Sequence, residues 1–178
     1  MRLASIATMN QPAEKPSEKS NSRPRHFDSL EQEAFLNLWR TYDRLHLREE
    51  ELFSRHELTP QQYNALRLLR GEAGGTLPTL ALAARLVSRA PDITRLVDKL
   101  EERGLIERHR PPENRRMVLI GLTDAGRALL AELDQRVREC HVRQLGHLPE
   151  PKLRQLIELL QEARRVHEES GSHWMPPQ

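Results

Sequence analysis

The sequence predicts a mainly α-helical chain carrying one small β-hairpin. Three observations lead there. Apolar residues recur at three- and four-residue spacing along most of the chain, and helix-capping residues (Ser29, Thr59, Thr123) precede those runs. The stretch RHRPPENRRMVLI, from Arg108 to Ile120, has apolar flanks around a turn built on two prolines and an asparagine.

Residues 1–27 are rich in Ser, Pro, Lys, Glu and Arg without apolar periodicity, and read as a disordered, solvated arm. Order is expected from Asp28–Ser29, where Ser29 and Gln32 have capping-box spacing. Phe35, Leu38, Tyr42, Leu45 and Leu52 then form one stripe of a first helix, longer than a small domain can cover. In LTPQQYNALRLLRG, Thr59 caps, Pro60 takes the first helical position, Gln62 reaches back and Gly71 closes the helix. GEAGGT reads as a loop and PTLALAARLV as a short apolar helix. A fourth helix is expected over about 88–103, with Leu96, Val97 and Leu100 inward and Gly104 at its end. Two strands follow, Leu105–Glu107 and Met117–Leu122, joined by the basic turn. Thr123 caps a long fifth helix, HLPEP is a loop, and the last helix sets Leu153, Leu156, Ile157 and Leu160 on one face.

The 178 residues suit one compact domain, or one domain with an appended oligomerisation element. A net charge of +2 excludes a polybasic coat, so any basic surface must arise from distribution. Four of the 28 cationic residues are lysine (Lys15, Lys19, Lys99, Lys152) and the rest arginine, which makes planar bidentate contacts to phosphate and guanine. A GC-rich coding bias accounts equally well for that bulk excess, so placement carries the argument. Cys140 is the only cysteine, which excludes an intrachain disulfide and a cysteine-rich zinc framework and fits a reducing cytosol. No apolar run approaches the ~18 residues of a membrane span. Asn10, Gln11, Pro12 and Glu14 interrupt the N-terminus too early for a signal peptide, so a cytoplasmic protein without a membrane partner is expected. GEAGGT lacks the strand–glycine–helix setting of a nucleotide loop, and no serine elbow or carboxylate pair is present. No enzyme activity and no cofactor are expected.

Two short helices separated by a tight turn and followed by a hairpin make a winged helix-turn-helix, whose second helix enters the major groove of DNA. Ser88, Arg89, Ala90, Pro91, Thr94 and Arg95 would form the first two turns of that helix. Hydroxyls of Ser88 and Thr94 suit phosphates or base edges, and Ala90 and Pro91 allow close backbone approach. Arg89 and Arg95 can bridge to guanine or clamp phosphate. The following DKLEERG is partly acidic, which favours docking by the helix N-terminus.

At this point the segment from about Leu58 to Gly126 resembles the MarR (multiple-antibiotic-resistance-type) winged-helix regulators. Three pieces carry the likeness: TRLVDKLEERGLIER, the wing PPENRRMVLIGL, and LTDAG at the entry to the fifth helix. With the long first helix and the final helical pair it covers most of residues 28–168. The resemblance implies a homodimer that binds double-stranded DNA at a pseudo-palindromic operator, with its wings in flanking minor grooves. It also implies repression relieved by a small ligand. The implied organisation is a dimerisation helix over 28–57, the winged helix-turn-helix over 58–122, C-terminal dimerisation helices over 123–170 and a tail over 171–178. Arg116 matches the wing-tip arginine of the minor groove and Arg115 its basic neighbour. Asn114 stands where the family usually has an aspartate that orients this arginine, so the charge-assisted contact is lost.

Trp39 and Tyr42 are candidate contacts for a small aromatic or phenolic effector, or core aromatics of the dimer, or both. Cys140 lies late in the fifth helix and reads as a partly buried structural thiol. His46, His56, His109, His141 and His147 are scattered and read as surface histidines, so no metal is expected. The rival reading is a winged-helix module that holds another protein without binding DNA.

Overall fold

The computed structural model describes residues 27–88, 92–112, 114 and 116–168. The arm expected over 1–27, except Phe27, and the 171–178 tail lie outside the described residues. In chain order the elements are α1 (Leu30–Ser54), α2 (Pro60–Gly71), β1 (Thr76–Pro78), α3 (Thr79–Arg85), α4 (Ile93–Glu102), β2 (Ile106–His109), β3 (Leu119–Leu122), α5 (Asp124–Leu145) and α6 (Glu150–Arg165). The mainly helical fold class with a small β element is as the sequence predicts.

The chain divides into two units, one ending at Trp39 and one starting at Arg40. In the first, the Ser29 hydroxyl accepts from the Gln32 amide (3.1 Å), as a cap should. The Gln32 side chain reaches back one residue further than a capping box requires, accepting from the Asp28 amide at 2.8 Å. Phe35, Leu38 and Trp39 are exposed, with the Phe35 and Trp39 rings 6.0 Å apart.

In the second unit, α1 ends in a turn whose Glu57 has φ +53°. The Leu58 amide donates to Phe53 and the Glu57 amide to Ser54, a Schellman closure built without glycine. The Arg103 guanidinium donates to the freed carbonyls of Glu57 (2.6 Å) and His56 (3.0 Å), which helps to offset that left-handed residue. The Thr59–Gln62 capping box is complete: Gln62 N–H donates to Thr59 Oγ1 (3.1 Å) and Thr59 N–H to Gln62 Oε1 (2.9 Å).

One strand has no counterpart in the elements that the sequence predicts. Thr76–Pro78 forms β1, pairing antiparallel with β3 through Leu77↔Ile120 and giving the sheet order β1-β3-β2. Pro78 therefore ends a strand, and α3 stops at Arg85, two residues short of the expected run. The hairpin strands also shift, because Leu105 serves as the closing residue of α4 instead of starting β2. Gly104 at φ +66° lets Leu105 N–H return to Leu100 and its own N–H to Glu101. Leu66, Leu69, Leu82, Leu100, Ile120 and Leu133 are fully buried at the centre of the core. Truncating any of them to alanine is expected to cost about 2–5 kcal/mol.

α5 starts at Asp124 on the Thr123 cap, which accepts from the Gly126 amide. The last helix carries Leu153, Leu156, Ile157 and Leu160 as expected, yet none of its residues is buried; Ile157 is 53% exposed.

Candidate nucleic-acid interface

The turn between α3 and α4 is held from α2. Asn64 Oδ1 accepts from the Val87 amide (3.1 Å), and Gln61 Nε2 donates to the Ser88 hydroxyl (3.2 Å). Gln61 and Asn64 lie three residues apart on one face of α2, so a single helix surface grips both turn residues. Ser88 is exposed but lies in this turn. The expected start of α4 near 88 is thus corrected to Ile93, because the Asp92 carboxylate caps the helix by accepting from the Arg95 amide at 2.9 Å. Arg89, Ala90 and Pro91 lie outside the described residues.

Thr94 and Arg95 occupy the first turn of α4 and are both exposed. Leu96, Val97 and Leu100 face the core as expected, at 8%, 0% and 0% exposure. Amphipathic spacing thus turns Arg95 outward, and with it Lys99 one turn later. Lys99 was missed in the sequence because the second half of the helix read as acidic. Its i, i+4 relation to Arg95 was the available signal.

That acidic half is largely neutralised from the hairpin. Arg108 on β2 donates through one guanidinium nitrogen to Glu101 (2.6 Å) and through the other to Asp98. One of the four arginines around the basic turn therefore faces the helix. At the tip, the Asn114 amide donates to the Pro111 carbonyl (3.1 Å) and the Met117 amide to the Asn114 carbonyl (3.0 Å). Arg116 is exposed, as is Arg110, and Arg116 has no ion-pair or hydrogen-bond partner among the described residues. Arg115 lies outside the described residues.

The remaining sequence candidates are spread over the rest of the chain. Trp39 and Tyr42 are exposed at 61% and 59%; Tyr42 stacks on His46 with ring centres 5.0 Å apart. Cys140 is buried, and burial first, then the Glu49 carboxylate, pushes its thiol above the ordinary range. His56 is not a surface residue: its side chain is 12% exposed, 3.2 Å from Arg136 and 3.9 Å from Glu132. Packing of the α1–α2 turn against α5 accounts for that burial. Among the described residues no three His, Cys, Asp or Glu side chains group to hold a metal ion, and no helix is long and apolar enough to cross a membrane.

A capped helix with outward cations, braced to a basic hairpin, defines a winged helix-turn-helix DNA-binding regulator. Residues 58–118 match the MarR family profile. A MarR transcription factor from Planctomyces limnophilus is 58% identical, with a TM-score of 0.61 over 76% of this chain and 98% of that one. The chain belongs to the MarR family. CouR from Rhodococcus jostii, solved with p-coumaroyl-CoA, is 29% identical with a TM-score of 0.65, covering 77% of this chain and 95% of that one. The homoprotocatechuate degradative operon repressor of Escherichia coli is 29% identical over 62% of this chain and 74% of its own. The Planctomyces limnophilus and Escherichia coli relatives are a transcription factor and an operon repressor, not enzymes, and DNA binding displaces the protein-only module as a reading.

Proposed function

We propose that the protein is a homodimeric repressor whose two winged domains read a pseudo-palindromic operator and are released by a small aromatic ligand. The carrying observation is the outward cationic set of Arg95, Lys99 and Arg116 on two braced elements. In this reading Ser88, Arg89, Ala90, Pro91, Thr94 and Arg95 serve the major groove. Arg115 and Arg116 serve the flanking minor groove. Residues 28–57 and 123–170 supply the dimer seam. The uncovered apolar side chains of α1 and α6 support that role, since two copies would remove them from water. The seam must set the recognition helices about 34–36 Å apart.

The repressor outcome and the aromatic effector are supported by the E. coli repressor's name and by the p-coumaroyl-CoA held by CouR. Trp39 and Tyr42 are each proposed as contacts for such a ligand. A ligand lowers DNA affinity only by its differential binding to the two dimer states. A cytoplasmic location follows from this role. Selection from a random duplex pool tests the reading: two inverted half-sites about one helical turn apart are expected. Recovery of a single half-site, or no enrichment at low salt, would overturn it.

A further inference from the structure

We propose that Arg108 is a positioning residue for DNA recognition, holding the wing at a fixed angle to α4 without touching DNA itself. The inference rests on the wing reading above and adds a residue to it. Arg108 sits on β2, two residues before Arg110 and on the strand that leads into the basic turn. Its guanidinium makes two charge-assisted bonds to one helix, to Asp98 and to Glu101 (2.6 Å). Asp98 and Glu101 are three apart, so they stand on one face of α4 and match the two ends of the planar fork. The Arg108 side chain is only 27% exposed, and both its terminal nitrogens are already used.

Two consequences follow from charge and geometry. Without Arg108, two carboxylates beside Lys99 would face the polyanion unneutralised. Without the carboxylates, the hairpin would keep its register to β3 but lose its side-chain tether to α4. A wing that wags about its strands must be ordered on binding, and that ordering cost falls only on contacts the wing makes. The major-groove contacts of α4 are expected to survive.

The test compares one operator core carrying A-tract flanks with the same core carrying GC flanks, since a narrow A·T minor groove favours an inserted arginine. Four full-length variants are measured beside the wild type: Arg108→Ala, Arg108→Lys, the double change Asp98→Asn with Glu101→Gln, and Arg116→Ala. Arg108→Ala and the double variant are each expected to lose most of the flank preference, on the order of tenfold if it equals one good contact, and Arg108→Lys to restore part of it. A direct DNA role for Arg108 predicts the opposite split: freeing it in the double variant would tighten binding and steepen the salt slope by about one contact. That result overturns the proposal. So does an unchanged flank preference in both variants alongside lowered thermal stability, which marks a purely structural brace. Arg116→Ala separates the two layers: if it leaves the flank preference intact, the wing reading fails, whatever Arg108 does.

Discussion

Arg70 on α2 and Asp134 on α5 join through two parallel bonds, 2.9 and 2.8 Å, the bidentate geometry of a guanidinium on a carboxylate. The pair fixes the C-terminal turn of α2 to the middle of α5. Arg70 is the main reason the Asp134 carboxyl is held below its ordinary value. A lowered folded pKa means that the carboxylate form favours the fold. The contribution is therefore full above the ordinary carboxyl value and lost as pH falls through the lowered one. Both side chains are about one-third exposed, so solvent screening limits the effect to about 1 kcal/mol. Urea unfolding of Asp134→Asn should show that deficit at neutral pH. The gap to wild type should close on acidification through and below the carboxylate range; a gap independent of pH would remove the ionic explanation.

Gly126 is required by its surroundings and not by its backbone angles. A Cβ there would lie 2.2 Å from the Leu105 carbonyl oxygen and 2.7 Å from Leu122 Cδ1. The first turn of α5 is pressed on the start of the hairpin, where the Thr123 amide also donates to Leu105 at 3.2 Å. Helix propensity alone would make Gly126→Ala stabilising by about 1 kcal/mol. The contact predicts the reverse, a loss of about 1–3 kcal/mol as the helix is forced off the strand. The urea midpoint decides between the signs.

Features set by neighbouring residues were legible in the sequence. Thr59 with Gln62, Gly104 and Thr123 act within three or four positions of themselves, so spacing identified them. β1 was not legible, because three residues reading Thr-Leu-Pro have no periodicity and pair only where β3 offers an edge. The start of α4 was displaced because spacing alone does not rank a cap such as Asp92, four residues inside the expected run. The role of Arg108 was hidden for a different reason. Its partners lie seven and ten residues away on another element, and its place among four arginines suggested the same target for all. In the candidate site, residue type singled out Thr94 and Arg95 and the family resemblance singled out Arg116; all three are exposed, and Lys99 was masked by acidic neighbours.

The apolar face of α6 gives a test of the dimer. Ile157, which shares one face with Leu153, Leu156 and Leu160, is 53% exposed along a helix that buries nothing of its own. Ile157→Glu should leave helical content unchanged, since the side chain packs little within one copy. It should shift sedimentation from dimer to monomer and weaken binding to a two-half-site operator far more than to one half-site. A dimer that persists would place the seam elsewhere.

The wing tip carries the sharpest substitution. Its turn carries backbone bonds from Asn114 to Pro111 and from Met117 to Asn114, and the Asn114 side chain is exposed. Arg116, two residues on, has no partner among the described residues and must be ordered when it binds. Asn114→Asp keeps the turn chemistry and supplies a carboxylate beside that arginine. An ion pair that preorganises the guanidinium should tighten operator binding by up to about 1 kcal/mol, roughly fivefold. The gain should disappear in an Arg116→Ala background, where the carboxylate only adds repulsion toward phosphate. Equal or weaker binding in the Arg116 protein would mean that the free arginine is already in its binding orientation.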